Sequence, residues 1–170
     1  MSAPGLCTRL NRSGWPQLVA RLVLGLVFVR MGLSKVEDPV AFLKLLREYE
    51  LAPAGAPWAL NTLAISIPWL EIWLGGLLLL GVAVRGVALS LLGLLLAFSV
   101  AVSQRALAIS AAEGIALCDV AFDCGCGGGV EFACSKVPEN LALMLLAWMA
   151  AVSRSSLLCV RRRLLSRDSL

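Results

Sequence analysis

The chain has 170 residues, 59% of them apolar and 15% charged, with no histidine and a net charge of +4. That balance excludes an ordinary soluble domain and leaves an integral membrane protein.

Apolar runs of about 18 or more residues can cross a hydrocarbon core of about 30 Å as helices. Four such runs occur, at 15–35, 58–84, 86–104 and 140–160. They predict an all-α fold, a single four-transmembrane-helix bundle occupying 1–170, with an outward Cys-rich loop at 105–139 between the third and fourth helices. Arg9, Arg12 and the following apolar stretch mimic a signal peptide, but no small-residue cleavage site follows and Arg21 and Arg30 interrupt the run, so it reads as a retained helix. Cys7 lacks a preceding apolar region, which argues against a lipoprotein signal.

After the first helix, Asp38 can cap an amphipathic segment over 38–51 that Pro39 starts and Pro53 and Pro57 end. Phe42, Leu45, Leu46 and Tyr49 then line one side, with Lys44, Arg47 and Glu48 on the other, as in an interfacial helix lying over the mouth of the bundle. A solvated loop helix covering nothing is the alternative.

In the second run, Glu71 lies near the middle, and Arg30 lies near the end of the first. A charge at the bilayer centre costs about 2.5–3.5 kcal/mol on insertion scales, so each should face the bundle and find a partner. Arg30 with Glu71 is the expected pair, and Arg21 is the rival for Glu71. The pair either fixes helix register or serves a bound quinone or a proton transfer, with Trp69 and Trp73 after Pro68 as a flat wall beside Glu71. Further on, Gly93 with Ala97 and Ala147 with Ala151 have the spacing that lets helices approach closely.

Orientation follows from the basic residues. Arg9 and Arg12, Arg85 in the turn between the second and third helices, and Arg154, Arg161, Arg162, Arg163 and Arg167 would share one side, which the positive-inside rule makes cytoplasmic. The expectation is a multi-pass protein of the inner membrane with both termini in the cytoplasm. The basic tail anchors topology beside anionic lipid and does not point to nucleic acid.

The cysteine loop then faces outward, where disulfides persist. Cys118, Cys124, Cys126 and Cys134 have the spacing C-x5-C-x-C-x7-C. This is no zinc-ribbon pattern, and no metal site is expected; copper or mercury capture is the metal alternative. A disulfide staple, as in a non-catalytic subunit or assembly factor, is another. The redox reading rests on Cys124-Gly125-Cys126, because cysteines one residue apart close only a small strained ring, and strained exposed disulfides exchange readily. Asp123 beside them would not lower a thiol's pKa. Cys118 and Cys134 are then a second pair exchanging with the first, although four cysteines allow three pairings. Cys7 and Cys159 read as plain thiols.

The runs "RLVLGLVFVRMGLSKVEDPVAFLKLLREYELAP" and "PWLEIWLGGLLLLGVAVR", with "DCGCGG" before "ENLALMLLAW", resemble the MauE-like branch of the DoxX-like membrane proteins from about Arg21 to Ala151. The Arg, Gly, Phe, Gly and Lys of the first helix and the Glu-then-Gly of the second fit the wider superfamily; the Asp-Cys-Gly-Cys loop points to the branch. Gly127 stands where members commonly carry an aromatic residue. The resemblance implies a four-helix protein that helps form disulfides in an exported protein, in methylamine utilisation, together with an extracytoplasmic thioredoxin-like partner. It places that function on Cys124 and Cys126 and gives Arg21, Lys35 and Glu71 structural roles. A membrane quinone as electron sink comes from analogy with other four-helix disulfide-generating proteins. Assembly into a larger membrane complex stays open.

Overall fold

The computed structural model describes residues 15–49, 56–125 and 129–152. Among the described residues five helices carry the fold: α1 (Trp15–Glu37), α2 (Pro39–Glu48), α3 (Pro57–Leu80), α4 (Val84–Glu113) and α5 (Ala133–Val152). Between α4 and α5 lie a short 3-10 turn (Leu117–Asp119) and an antiparallel hairpin of β1 (Ala121–Asp123) and β2 (Val130–Phe132), in which Ala121 faces Phe132 and Asp123 faces Val130. Cys7, Cys126 and Cys159, Pro53, and the basic residues before residue 15 and after residue 152 lie outside the described residues.

Among the described helices α1, α3 and α4 are long and apolar enough to cross a membrane. Their outward faces carry Leu26, Ile65, Trp73 and Leu96, all exposed. Water would penalise such a surface, whereas acyl chains accept it. Inside, α1 packs chiefly on α3 and α4 on α5, and Leu24, Phe28, Leu78, Leu91, Leu95 and Ala147 form the common core.

The close approach of α1 and α3 has a specific cause. A Cβ on Gly75 would sit 2.8 Å from the Gly25 carbonyl oxygen, and one on Gly25 would sit 3.0 Å from the Gly75 carbonyl oxygen. Only hydrogens fit there. The small-residue spacing chosen from sequence is partly corrected: Ala147 and Ala151 are buried, but Gly93 and Ala97 are exposed, and none of the described residues comes within 4 Å of a Cβ placed on Gly93.

Two boundaries move for physical reasons. Apolarity stops near Gln104, yet α4 runs on to Glu113; its 30 residues span about 45 Å and so extend beyond a hydrocarbon core of about 30 Å. There Ala106 packs against Val120 and Ala133, seating the hairpin. Helix α5 likewise starts at Ala133, ahead of Pro138. Proline removes one helical hydrogen bond, but Lys136 spans this turn, pairing with Glu131 of β2 at 2.8 Å and Glu139 at 2.7 Å. The expected 105–139 loop thus shrinks to the stretch between Glu113 and Ala133, and a hairpin fills much of it.

The amphipathic segment forms as its sequence dictates. Pro39 occupies the first turn and the Asp38 carboxylate accepts a hydrogen bond from the Ala41 N–H at 2.9 Å. Phe42 and Leu46 are buried against Ala64 of α3, while Lys44, Arg47 and Glu48 are exposed.

Candidate functional site

Three of the four loop cysteines lie within the described residues, two flanking the hairpin and one at its tip. Cys118 and Cys134 are joined by a disulfide, with Cα atoms 4.9 Å apart. It closes the base of the hairpin, three residues before β1 and two after β2. Both cysteines are exposed. Cys124 stands at the other end, directly after β1; it is disulfide-bonded too, and only 4% exposed. A strand of three residues is about 10 Å long, so base and tip are separate places. No cluster of three or more metal-ligating side chains occurs among the described residues.

Helix α2 receives the tip. Gly125 has φ +70°, a left-handed conformation open to glycine, and a Cβ there would collide with the Leu45 side chain. Its N–H donates to the Asp123 carboxylate at 2.8 Å, closing a local turn and occupying the acid next to the cysteines. The Tyr49 hydroxyl donates to the Asp123 carbonyl at 3.3 Å, and its ring meets Phe122 edge-on at 6.4 Å. The amphipathic helix therefore holds the cysteine tip down.

Beneath α2 lies a second feature. Lys35 Nζ donates to both Oε1 and Oε2 of Glu71 at 2.6 Å, with the side chains 3% and 0% exposed. The ammonium also sits 5.4 Å from the ring centre of Phe42 on α2 and 5.0 Å from that of Phe98 on α4. One ion pair thus touches four helices. It also corrects the expected Arg30–Glu71 partnership: Arg30 is exposed, five residues from Lys35 and about 140° around the helix. Arg21 is buried but lies four turns before Lys35 on the same stripe, with Gly25, Phe28 and Gly32 between them. The 4-3-4-3 spacing of those five residues was the signal in the sequence that pointed to Lys35, since it marks one face of a helix.

Residues 13–153, most of the chain, match the family model of methylamine utilisation protein MauE. The chain belongs to the MauE family. Searches of curated proteins and of solved structures found no match. Membership accords with a multi-pass membrane protein, and it spans both the Lys35–Glu71 pair and the cysteine hairpin of this MauE-family chain.

The Tyr49 contact can be checked by titration. Burial first, and the Asp123 carboxylate second, push its phenol up to about 12 from an ordinary 10.0. A raised acid holds its proton longer when folded, so its contribution to docking is complete below pH 10 and lost as pH rises through about 12. Tyr49 is the single tyrosine, so phenolate absorbance reports it alone. A midpoint near 12 is expected in the folded protein; a midpoint near 10 would mean the tip is not docked on α2.

Proposed function

We propose that this protein is a four-crossing inner-membrane thiol–disulfide redox protein, in which α5 provides the fourth span and both termini are cytoplasmic. The hairpin then lies on the extracytoplasmic side, where Cys124 and Cys126 form the exchanging pair for a thioredoxin-like or client protein of a methylamine utilisation system. The observation that carries the reading is an oxidised Cys124 at a glycine-rich tip, seated against α2.

The exchange balances without another reagent for one turnover. A partner thiolate attacks one sulfur of the Cys124–Cys126 bond, that bond breaks, a mixed disulfide forms, and the displaced thiolate takes up a proton. The partner's second thiol, losing its proton, resolves the mixed disulfide. The partner leaves oxidised and both cysteines are reduced. Because Cys124 is buried, Cys126 is the sulfur that meets the partner. Cys118–Cys134 serves as the clamp of the hairpin base instead of a second exchanging pair, since it stands a strand's length from the tip. Closing a loop of 16 residues contributes about 3 kcal/mol to local stability.

A cysteine-to-serine series tests this. Cys124→Ser abolishes the intramolecular disulfide and leaves Cys126 a single thiol, whose thiolate attacks the disulfide of the oxidised partner in the reverse sense; with no Cys124 thiol to displace the partner, the mixed disulfide is expected to persist until an added reductant releases it. Cys118→Ser with Cys134→Ser is expected to loosen the hairpin and trap nothing. Trapping at Cys118 or Cys134 alone would reverse the roles assigned here. If no variant traps a partner and the disulfides resist exchange at physiological poise, the redox reading is wrong and a stapled assembly surface takes its place.

A further inference from the structure

A cleft of about 430 Å³ opens beside the buried ion pair, between the last turn of α1, the start of α2 and the first half of α3. That volume suits a ring-sized ligand. Its walls are hydrocarbon, from Val36, Val40, Leu43 and Ile65, and Trp69 adds a half-exposed flat face. The polar residues of its lining are Lys35 and Asn61. Lys35 lines the cleft, and of the three N–H bonds an ammonium carries, two go to Glu71. Ala64 and Pro68 also line it. Proline has no N–H, so the Ala64 carbonyl lacks its helical donor and can accept from a ligand hydroxyl.

Charge decides between ligand classes. Glu71 neutralises Lys35 at 2.6 Å, so an anionic headgroup would gain little from the ammonium and would be repelled by the carboxylate. A neutral, flat molecule with carbonyl acceptors, whose reduced form carries hydroxyl donors, satisfies Lys35, Asn61 and the Ala64 carbonyl in turn. We propose that this cleft binds the head of a membrane quinone.

The proposal rests on the redox reading, which needs a lipid-soluble acceptor once the disulfide has been spent. Two thiols lose two electrons and two protons, one S–S bond forms, and the quinone becomes the quinol. Helix α2 is the shared wall: Val40 and Leu43 line the cleft, while Leu45 meets Gly125 of the cysteine tip. Quinone occupancy and tip position are therefore read by one short helix.

The test uses the full chain in lipid nanodiscs and a one-isoprene benzoquinone as probe. Saturable quenching of tryptophan fluorescence is expected, with the quenched fraction reduced in Trp69→Phe. Ile65 is 66% exposed, so Ile65→Trp can fill the cleft without entering the core; it should weaken binding about tenfold or more, equivalent to about 1.4 kcal/mol. Asn61→Leu keeps the volume but removes the amide, and a several-fold loss is expected. Unchanged affinity in both variants overturns the assignment, as does equal competition by an isoprenoid alcohol or an anionic phospholipid. The two readings fail separately: saturable quinone binding with no trapped partner removes the thiol exchange alone, and a trapped partner with no saturable binding removes the quinone site alone.

Discussion

Lys35→Met alone is expected to cost about 3–5 kcal/mol of stability, because it leaves a buried carboxylate without its counter-charge. Glu71 is fully buried and its two oxygens both accept from Lys35 at 2.6 Å. Its side chain has no exposed surface, and the rings that flank the ammonium, Phe42 and Phe98, cannot replace a donor. Removing both charges should hurt far less than removing one, since a buried pair exchanged for apolar groups of similar volume is often neutral. Unfolding of Lys35→Met, Glu71→Leu and the double variant in detergent, analysed as a cycle, gives the coupling directly. A double variant as unstable as the sum of the singles would mean that the two side chains act independently. Local order should follow: the Phe42 ring rests over the ammonium, so α2 and the cysteine tip should exchange amide hydrogens faster in the single variant.

What the sequence discloses follows the range of each physical signal. Hydropathy is summed over a turn-rich window, so it located α1 and α3 almost to their ends. It misplaced the end of α4 because a helix leaving the bilayer keeps its hydrogen bonds while losing its apolarity; Arg105 and Glu113 belong to the same helix as Leu95. The face of α2 was legible because Phe42 and Leu46 stand one turn apart above a proline start and an aspartate cap. The hairpin was not, since strands of three residues with one half-buried side chain each, Phe122 and Glu131, leave no readable alternation. Glu71 was recognisable as a charge needing a partner. Its partner was misassigned to Arg30 because depth alone was weighed, whereas helical phase puts Lys35 on the face of Gly25, Phe28 and Gly32. Among the cysteines, type and spacing singled out the 118–134 segment, where a disulfide does form. Which sulfur is buried depends on α2, far earlier in the chain, and which disulfide closes the hairpin base depends on the strand pairing that brings Cys118 beside Cys134 at the start of α5.

Gly75→Val should separate α1 from α3, whereas Gly76→Ala, one residue on, should be harmless. At Gly75 the new Cβ would lie 2.8 Å from the Gly25 oxygen and 3.0 Å from the Val29 nitrogen. Both are backbone atoms, so no rotamer change can relieve the contact, and the helices must move apart. Overpacking of this kind costs about 1–3 kcal/mol on its own. The cost grows here because Gly75 is one turn from Glu71, and any separation of the two helices lengthens the 2.6 Å contacts to Lys35. A buried ion pair pulled apart in a medium of low dielectric approaches the single-charge penalty argued above. At Gly76 nothing lies within 4 Å of the added methyl, and alanine favours a helix over glycine by up to about 1 kcal/mol. The expected result is a Gly75→Val protein that is lost from the membrane fraction or unfolds well below the parent, beside a Gly76→Ala protein that matches or exceeds it. Equal stability of the two would show that α1 and α3 do not meet backbone to backbone, and the position of Lys35 opposite Glu71 would lose its footing with it.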